Sequence, residues 1–336
     1  MTGDTLTDRI NYIDFLKFVG LTGIIIAHVG SPSWLMMLRS FDVPFMVILS
    51  AILAEQSYKK FIRKGLLVKD YYISRFKRLV IPTWIFLGLY LMLLFIAEGE
   101  LQGWKYYIAS FCLTRYGIGY VWIILIYLYS ALLIPLFHRM KLSIKGLLFI
   151  LVMYGLYEIA YYFKIGTDNI FLDTTVYYIV PYGVLTYLGH NYYQMRKRTR
   201  YLIAITSSLI FAILLFCYWM INKSFQLVSI AKYPPRLYYL SYGIACSFGL
   251  LLLCEKCQFK IFDNSFIRYI SMHSMWIYLW HILVLSVYRF LGLPEVWYIK
   301  LFIVYGIAIL VIFVVNKCLD LIERKIQIGF FRYLRG

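Results

Sequence analysis

Charged residues are scarce in this sequence of 336 residues. Asp, Glu, Lys and Arg make up 15% of it, whereas about 25% is typical of soluble domains. Hydrophobic residues make up 62%, and the mean hydropathy is +0.74. A soluble core stops growing near about 250–300 residues and could not hide this much apolar surface. The composition therefore excludes an ordinary soluble domain and predicts that lipid surrounds much of the chain.

Acidic residues and cysteines are also few. The 16 Asp and Glu are outnumbered by 34 Lys and Arg, but no soluble basic module is present, so no nucleic-acid partner is expected. Cys254 and Cys257 form one C-x-x-C without a second pair, so no zinc site or other metal is expected. Neither G-x-x-x-x-G-K-[ST] nor G-x-G-x-x-G occurs, which argues against an ordinary nucleotide-hydrolysis loop.

Long apolar stretches dominate what is present, and ten of them are long enough to cross a bilayer. They are residues 13–31, 41–56, 79–98, 119–137, 146–163, 175–192, 201–221, 237–254, 269–288 and 297–316. Ten spans place both termini on one side, and 25 of the 34 Lys and Arg fall on that side. Basic residues collect in the cytoplasm. The sequence therefore predicts an all-α polytopic protein with both termini cytoplasmic.

This bundle is predicted to form a single transmembrane domain over residues 1–336. It carries two basic segments on the cytoplasmic side, a loop at 57–78 and an amphipathic tail at 317–336. An amphipathic basic segment is typical of a helix that lies along the inner leaflet.

The first span, "NYIDFLKFVGLTGIIIAHVGS" from Asn11, carries His28. Counted from Lys17, His28 lies about 16 Å deeper, beyond the middle of a hydrocarbon core about 30 Å thick. His281 reaches a similar depth on a later span, and Asp42 opens the second span nearby. A histidine beside a carboxylate can act as a general base whose tautomer the partner fixes. We therefore predict His28 and Asp42 as catalytic residues; a histidine bonded to a backbone carbonyl is the alternative.

A second candidate lies in "RFKR", at the start of the third span. Arg75 and Arg78 are three residues apart and share a helix face, so their guanidinium groups can grip a phosphate together. Lys77 lies between them and points elsewhere. A charge run that only sets topology is the alternative. Asp14, one turn before Lys17, is a plausible ion-pair partner for it.

Four stretches together resemble the acyltransferase-3 family, membrane-bound bacterial enzymes that O-acylate cell-surface glycans. They are "IDFLKFVGLTGIIIAH", "FDVPFMVILSA", "RFKR" followed by Pro82, and "ISMHSMWIYLWHILVL". Their order and spacing match the family over essentially the whole chain. Two positions depart from its pattern: Lys17 stands where the family has Arg, and Ala51 follows Ser50 where the family has Gly. Lysine keeps the charge but loses the planar fork.

The resemblance implies that acyl-CoA, most often acetyl-CoA, is the donor and enters from the cytoplasm. Arg75, Arg78 and Lys77 would hold its phosphates, and Lys17 would support its arm. His28 would then meet the thioester, either as general base or as the carrier of the acyl group. The acceptor would be a surface glycan or lipid-linked saccharide, and the protein would be a multi-pass protein of the bacterial inner membrane.

Further polar and aromatic residues of the outer half are predicted to bind the acceptor. They are His281, Glu158, Arg115, Trp122, Arg236 and Tyr239, with Tyr238 beside them. A transporter or flippase of lipid-linked saccharides is the alternative function, although no matched halves are found. A scaffold without chemistry would leave the two deep histidines unexplained. The acceptor sugar, the exact acyl group and the oligomeric state are not determined by the sequence.

Overall fold

The computed structural model describes residues 11–100, 102–257 and 259–325, which contain fourteen α-helices and no strand. In chain order they are α1 (Asn11–Ile26), α2 (Ser33–Arg39), α3 (Asp42–Arg63), α4 (Val68–Glu98), α5 (Trp104–Phe111), α6 (Trp122–Met140), α7 (Ile144–Tyr162), α8 (Ile170–Thr174), α9 (Val176–Asn191), α10 (Lys197–Asn222), α11 (Leu237–Lys256), α12 (Ser265–Met272), α13 (Ser274–Phe290) and α14 (Trp297–Lys325). The predicted all-α fold is confirmed.

All ten predicted spans fall on helices, but not all of these helices are long enough to cross a membrane alone. Seven helical segments are, or eight if α12 and α13, which meet at a bend of 78°, form one broken span. The two shorter ones, α1 and α9, have 16 residues each, or about 24 Å against a core of about 30 Å. Both pack against α3 in the interior of the bundle. The chain is a multi-pass membrane protein.

The predicted cytoplasmic loop at 57–78 is mostly helical. Helix α3 continues to Arg63 and α4 begins at Val68, so only a short turn separates them, with Gly65 at a φ of +69°. Because helix hydrogen bonds are internal, a helix can extend past the hydrocarbon while its basic side chains meet the headgroups. The tail behaves similarly: residues 317–325 continue α14, and residues 326–336 lie outside the described part of the chain.

The centre of the bundle is built by α1, α3, α6 and α9, while α7, α10 and α14 lie outside them. Gly189 lets α9 approach the backbone of α3 closely, because a Cβ there would lie 2.5 Å from the carbonyl oxygen of Ile48. Small residues let membrane helices pack backbone to backbone in this way. Outer helices instead expose apolar side chains such as Ile213 and Phe302, as expected of a lipid-facing surface. The polar groups described next come from these central helices and from the helices packed around them.

Candidate functional site

The two deep histidines contact each other. His28 lies in the turn after α1 and His281 lies inside α13, and the structure places Nδ1 of His28 3.0 Å from Nε2 of His281. The rings are nearly parallel, at 18°, with centroids 5.2 Å apart. His281 is completely buried. Sequence counting placed both residues at a similar depth, and the fold brings them into direct contact.

The partners of the two rings determine which nitrogen carries each proton. Nδ1 of His281 contacts the carbonyl oxygen of Tyr278, and a carbonyl can only accept, so this nitrogen must be the donor. Nε2 of His281 is then an acceptor, and Nδ1–H of His28 donates to it. These tautomers are assigned from the hydrogen-bond network. Nε2 of His28 is left with a free lone pair, as a general base requires.

The wall beside this pair comes from the turn that precedes α6. The ring of Tyr120 meets His28 edge-on at 5.0 Å, and its carbonyl accepts a hydrogen bond from the Tyr278 hydroxyl. Arg289 donates to the Tyr120 hydroxyl at 3.3 Å. Tyr120 and Tyr278 were not predicted as site residues. Tyr278 could have been found, since it lies three residues before His281 on the same helix face.

Asp42 is not the hydrogen-bond partner predicted for His28. Its carboxylate accepts from Nη1 of Arg39 at 2.5 Å and from the backbone N–H of Val43 at 2.7 Å. Both partners are local, because Asp42 opens α3 and Arg39 closes α2. Asp42 remains close to α1, since a Cβ on Gly23 would lie 3.1 Å from the Cβ of Asp42. The role predicted for it, orienting His28, belongs by geometry to His281.

An aromatic cluster lies near the histidine pair, because its Tyr233 interacts electrostatically with Tyr278, whose ring contacts His281. We call this cluster the aromatic box and define it as Trp122, Tyr178, Tyr182, Tyr233 and Tyr239. The Trp122 ring lies 5.9 Å from Tyr178, 6.3 Å from Tyr182 and 5.3 Å from Tyr233. Tyr239 borders Tyr182 and is fully buried. Two residues predicted for acceptor binding, Trp122 and Tyr239, therefore belong to one cluster. The third, Tyr238, stacks on Phe211 instead, at 5.3 Å.

The aromatic box opens into a cleft on the side of the molecule predicted to face outward. The cleft has a volume of about 160 Å³ and is open to solvent on one side. We call it the outer cleft. Its lining residues are Arg115, Tyr161, Thr167, Asp173, Tyr177, Tyr233 and Pro234. Arg115, predicted for acceptor binding, lies in this wall and pairs with Asp173 at 3.0 Å. Tyr233 belongs to both the box and the cleft, so the two form one continuous surface.

Glu158 and Arg236 pair with each other at the junction of α7 and α11. Nε of Arg236 donates to Glu158 at 2.5 Å, and the same carboxylate accepts from the Tyr154 hydroxyl at 2.6 Å and from the backbone N–H of Leu237 at 2.9 Å. That last contact satisfies a free N–H at the start of α11. The guanidinium of Arg236 lies 4.2 Å above the ring of Tyr161, in the cleft wall. The pair supports the cleft rather than His28.

The arginines of "RFKR" lie at the other end of the bundle. The guanidinium of Arg75 sits 5.1 Å over the ring of Tyr71, and its Nε is buried without a hydrogen-bond partner. Arg78 is exposed on the same side and interacts electrostatically with Arg75. Lys77 is exposed. The structure brings the two arginines together, as predicted, but not to the histidines.

Lys17 lies between these regions and contacts the break between α12 and α13. Its ammonium donates to the carbonyl of Ser271 at 2.5 Å, while the Ser271 hydroxyl donates to Asp14 at 2.5 Å. Both contacts tie α1 to the last residues of α12. Lys17, which is predicted to support the arm of the acyl donor, therefore also holds α1 against α12.

Comparison with known proteins gives a match to a family model. The family model Acyl_transf_3, described as an acyltransferase domain, matches residues 10–317. The chain belongs to the acyltransferase-3 family. No curated protein and no solved structure gives a significant match. Membership makes the protein an acyltransferase that acts on a hydroxyl-bearing acceptor, and it agrees with the resemblance found in the sequence.

A second histidine pair lies at the end of the bundle that is predicted to face the cytoplasm, which we call the cytoplasmic end. Glu55 of α3 contacts Nδ1 of His138 at 3.0 Å, Nδ1 of His190 at 2.9 Å and Nζ of Lys59 at 3.1 Å. These ligand atoms are close enough to hold a metal ion. Lys59 and His138 already contact one carboxylate oxygen of Glu55, whereas the other oxygen and both ring nitrogens of His190 are buried without hydrogen-bond geometry. Sequence reasoning missed this cluster, since its members come from three distant helices.

Proposed function

We propose that this acyltransferase transfers an acetyl group from cytoplasmic acetyl-CoA to a hydroxyl of a surface glycan or lipid-linked saccharide in a bacterial inner membrane. The observation that carries the proposal is the hydrogen-bond chain from the Tyr278 carbonyl through His281 to His28. It leaves one imidazole nitrogen as an acceptor, beside an aromatic box suited to a sugar. A base within reach of a substrate hydroxyl is what direct acyl transfer needs.

In the proposed reaction Nε2 of His28 takes the proton of the acceptor hydroxyl as its oxygen attacks the thioester carbonyl. The new C–O bond forms, the C–S bond breaks, and the CoA thiolate leaves and receives the proton from His28. His28 is an imidazolium between these steps, so its Nδ1–H bond to His281 becomes charge-assisted and stronger. His281 thereby favours proton transfer without touching the substrate. The same lone pair could instead attack the thioester first, giving an acyl-histidine and two steps.

The donor would enter at Arg75 and Arg78 and extend toward His28. The ring of Phe86 on α4 packs against Trp280, with centroids 6.3 Å apart, and Trp280 directly precedes His281. Arg75 lies eleven residues before Phe86 on α4, which is about 16 Å along the helix axis. Trp276 and Trp280 lie one turn apart on α13, and both indole N–H groups are buried without a partner. We propose that these two donors bind the amide carbonyls of the pantetheine arm.

The test supplies radiolabelled acetyl-CoA to membranes that contain the wild type, His28→Ala or the control His273→Gln. His273 stacks on Tyr269 and lies outside the histidine pair. We expect label in the glycan fraction with the wild type and the control, and a loss of about 10²–10⁴-fold with His28→Ala. Equal labelling by His28→Ala would remove His28 from the mechanism. No labelling from any acyl-CoA, together with a defect in saccharide export, would favour the flippase alternative.

A further inference from the structure

We propose that Lys232 binds an anionic group of the acceptor, so that the acceptor is a glycan carrying a carboxylate or a phosphate close to the hydroxyl that is acylated. This inference rests on the proposed function and deepens it by naming the class of acceptor. Lys232 follows the short 3₁₀ turn Val228–Ala231, between α10 and α11.

The ammonium of Lys232 has unusual surroundings. In the part of the chain that the structure describes, it makes no ion pair with a carboxylate and no hydrogen bond to the protein. Its Nζ instead lies 5.4 Å from the ring centroid of Trp122 and 5.2 Å from that of Tyr233. Aromatic faces attract a cation, but they supply no hydrogen-bond acceptor for its three N–H groups.

The two cations whose side chains are fully buried in the described part of the chain do have a carboxylate partner. Arg39 pairs with Asp42 at 2.5 Å, and Lys300 pairs with Glu295. Burial lowers the pKa of Lys232 to about 8; the nearby Asp42 carboxylate raises the pKa and the Arg39 guanidinium lowers it. The Lys232 side chain is therefore mainly charged near neutral pH. The side chain of Lys232 is half-buried, so its ammonium is only partly hydrated. An anion bound there would gain a charge-assisted contact at a place from which much of the water is excluded.

Lys232 is also in the right place relative to the base. It interacts electrostatically with His28, and this interaction is stronger than those of Arg39 and Arg289 with the same imidazole. The next residue, Tyr233, lines the outer cleft. A ligand that enters through the cleft and reaches toward His28 therefore passes the ammonium of Lys232.

The hydroxyl groups of the aromatic box point to a polar ligand as well. Those of Tyr178, Tyr182 and Tyr239 are buried without a hydrogen-bond partner, and the Tyr182 and Tyr239 hydroxyls are neighbours that do not meet hydrogen-bond geometry. Buried polar groups in folded proteins are almost always paired. Sugar hydroxyls would complete these three groups, and a sugar ring could stack on Trp122. A neutral sugar alone would leave the ammonium of Lys232 unpaired, so an acidic acceptor fits the site better.

Binding to the purified protein tests the proposal without requiring turnover. The probes are a disaccharide containing glucuronate, the same disaccharide with its carboxyl group reduced to an alcohol, and inorganic pyrophosphate, each followed by quenching of tryptophan fluorescence. The variants are Lys232→Gln and Lys232→Arg, with Lys317→Gln as the control, because Lys317 has a similar contact with an aromatic ring, 5.7 Å over Phe313, away from the site. The melting temperature of each variant checks its folding.

We expect the wild type and Lys317→Gln to bind an anionic probe at least about tenfold more tightly than the neutral disaccharide, since a hydrogen bond to a charged group contributes roughly 1.5–3 kcal/mol. Lys232→Gln should lose this preference, and Lys232→Arg should keep most of it. Preference for the glucuronate probe assigns the anion to an acidic sugar, and preference for pyrophosphate assigns it to a lipid-linked diphosphate. Equal binding of charged and neutral probes, or a preference that survives Lys232→Gln, overturns the proposal.

A transfer assay separates this inference from the proposed function. With acetyl-CoA as donor, the wild type should have the higher kcat/KM for the acidic disaccharide, through a lower KM, and Lys232→Gln should raise that KM toward the value for the neutral one. Transfer to both disaccharides with equal KM would reject the anionic acceptor while supporting the acyltransferase mechanism. Absence of transfer with binding that depends on Lys232 would reject the mechanism and support the anion site.

Discussion

The acyltransferase has two histidine pairs, one at each end of its bundle, and they differ in what lies between the rings. At the outer end His28 bonds directly to His281, and the chain of hydrogen bonds ends at a backbone carbonyl. At the cytoplasmic end His138 and His190 both face the carboxylate of Glu55. A carboxylate that contacts the Nδ1 atoms of both imidazoles joins three helices at one point. The direct contact between His28 and His281 leaves Nε2 of His28 free to accept a proton. A buried histidine is therefore identified as a base by its hydrogen-bond partners and not by its burial alone.

The largest expected effect concerns the cytoplasmic pair and protein stability. Glu55→Ala removes the carboxylate that His138, His190 and Lys59 share, so we expect a loss of about 1–3 kcal/mol in unfolding free energy, the cost of leaving a buried donor unpaired. Thermal unfolding in detergent measures it, with Glu100→Ala, an exposed carboxylate, as the control. The fraction that remains folded should still transfer acyl groups. Equal stability of the two variants would contradict the structural role.

The outer pair should respond in turnover rather than in stability. His281→Phe removes the acceptor for Nδ1–H of His28, and we expect kcat to fall about 10- to 100-fold, as is typical when a group that orients a functional histidine is lost. The KM values for donor and acceptor should change little. His281→Gln offers an amide oxygen to the same N–H and should recover part of the rate. Equal losses in both variants would mean that His281 acts only through packing.

The arginines at the cytoplasmic end should affect donor binding. Arg75→Ala and Arg78→Ala each remove a charge-assisted contact, and we expect each to raise the KM for acetyl-CoA about tenfold with little change in kcat. Initial rates at varied acetyl-CoA measure this, with the exposed Lys64→Ala as the control for lost charge. A higher KM for the acceptor with an unchanged KM for acetyl-CoA would refute the phosphate assignment.

The smallest expected effect concerns the region between the two ends. Trp276→Phe and Trp280→Phe keep an aromatic ring but remove an N–H donor, so we expect the KM for acetyl-CoA to rise only about two- to tenfold each, as for a neutral hydrogen bond. Trp219→Phe, on the partly exposed surface of α10, is the control. A short acetyl thioester without amide groups should show no such difference; if it does, the indoles do not bind the pantetheine arm.

Much of the fold could be predicted because hydropathy and helix rise are local properties. Every predicted span lies on a helix, and counting residues along the helices placed His28 and His281 at similar depths. The connection predicted at 57–78 is itself mostly helical, because α3 and α4 extend through most of it. Charge shows where a helix leaves the hydrocarbon, which is not where its hydrogen bonds stop.

The candidate site was predictable only in part. His28, Arg75 and Arg78 stand out because an ionisable group inside or at the edge of an apolar run is conspicuous. The partner of His28 is 253 residues away in the chain, and Asp42, the nearer carboxylate, turned out to pair with Arg39. Lys232 lies in the connection between α10 and α11. Its contacts with Trp122 and Tyr233 depend on how the helices pack, which the local sequence does not show.

The sequence by itself determined that this chain is a bundle of apolar helices, that it belongs among acyltransferases, and that two histidines reach the same depth. These properties depend on composition and on distance along a helix axis, which can be counted. Only the tertiary structure decided which faces of the helices meet: that His28 bonds to His281 and not to Asp42, that Glu55 joins the other histidines, and that the ammonium of Lys232 faces aromatic rings. The rotation of each helix about its axis depends on packing among all of them, because no helix buries its polar groups alone.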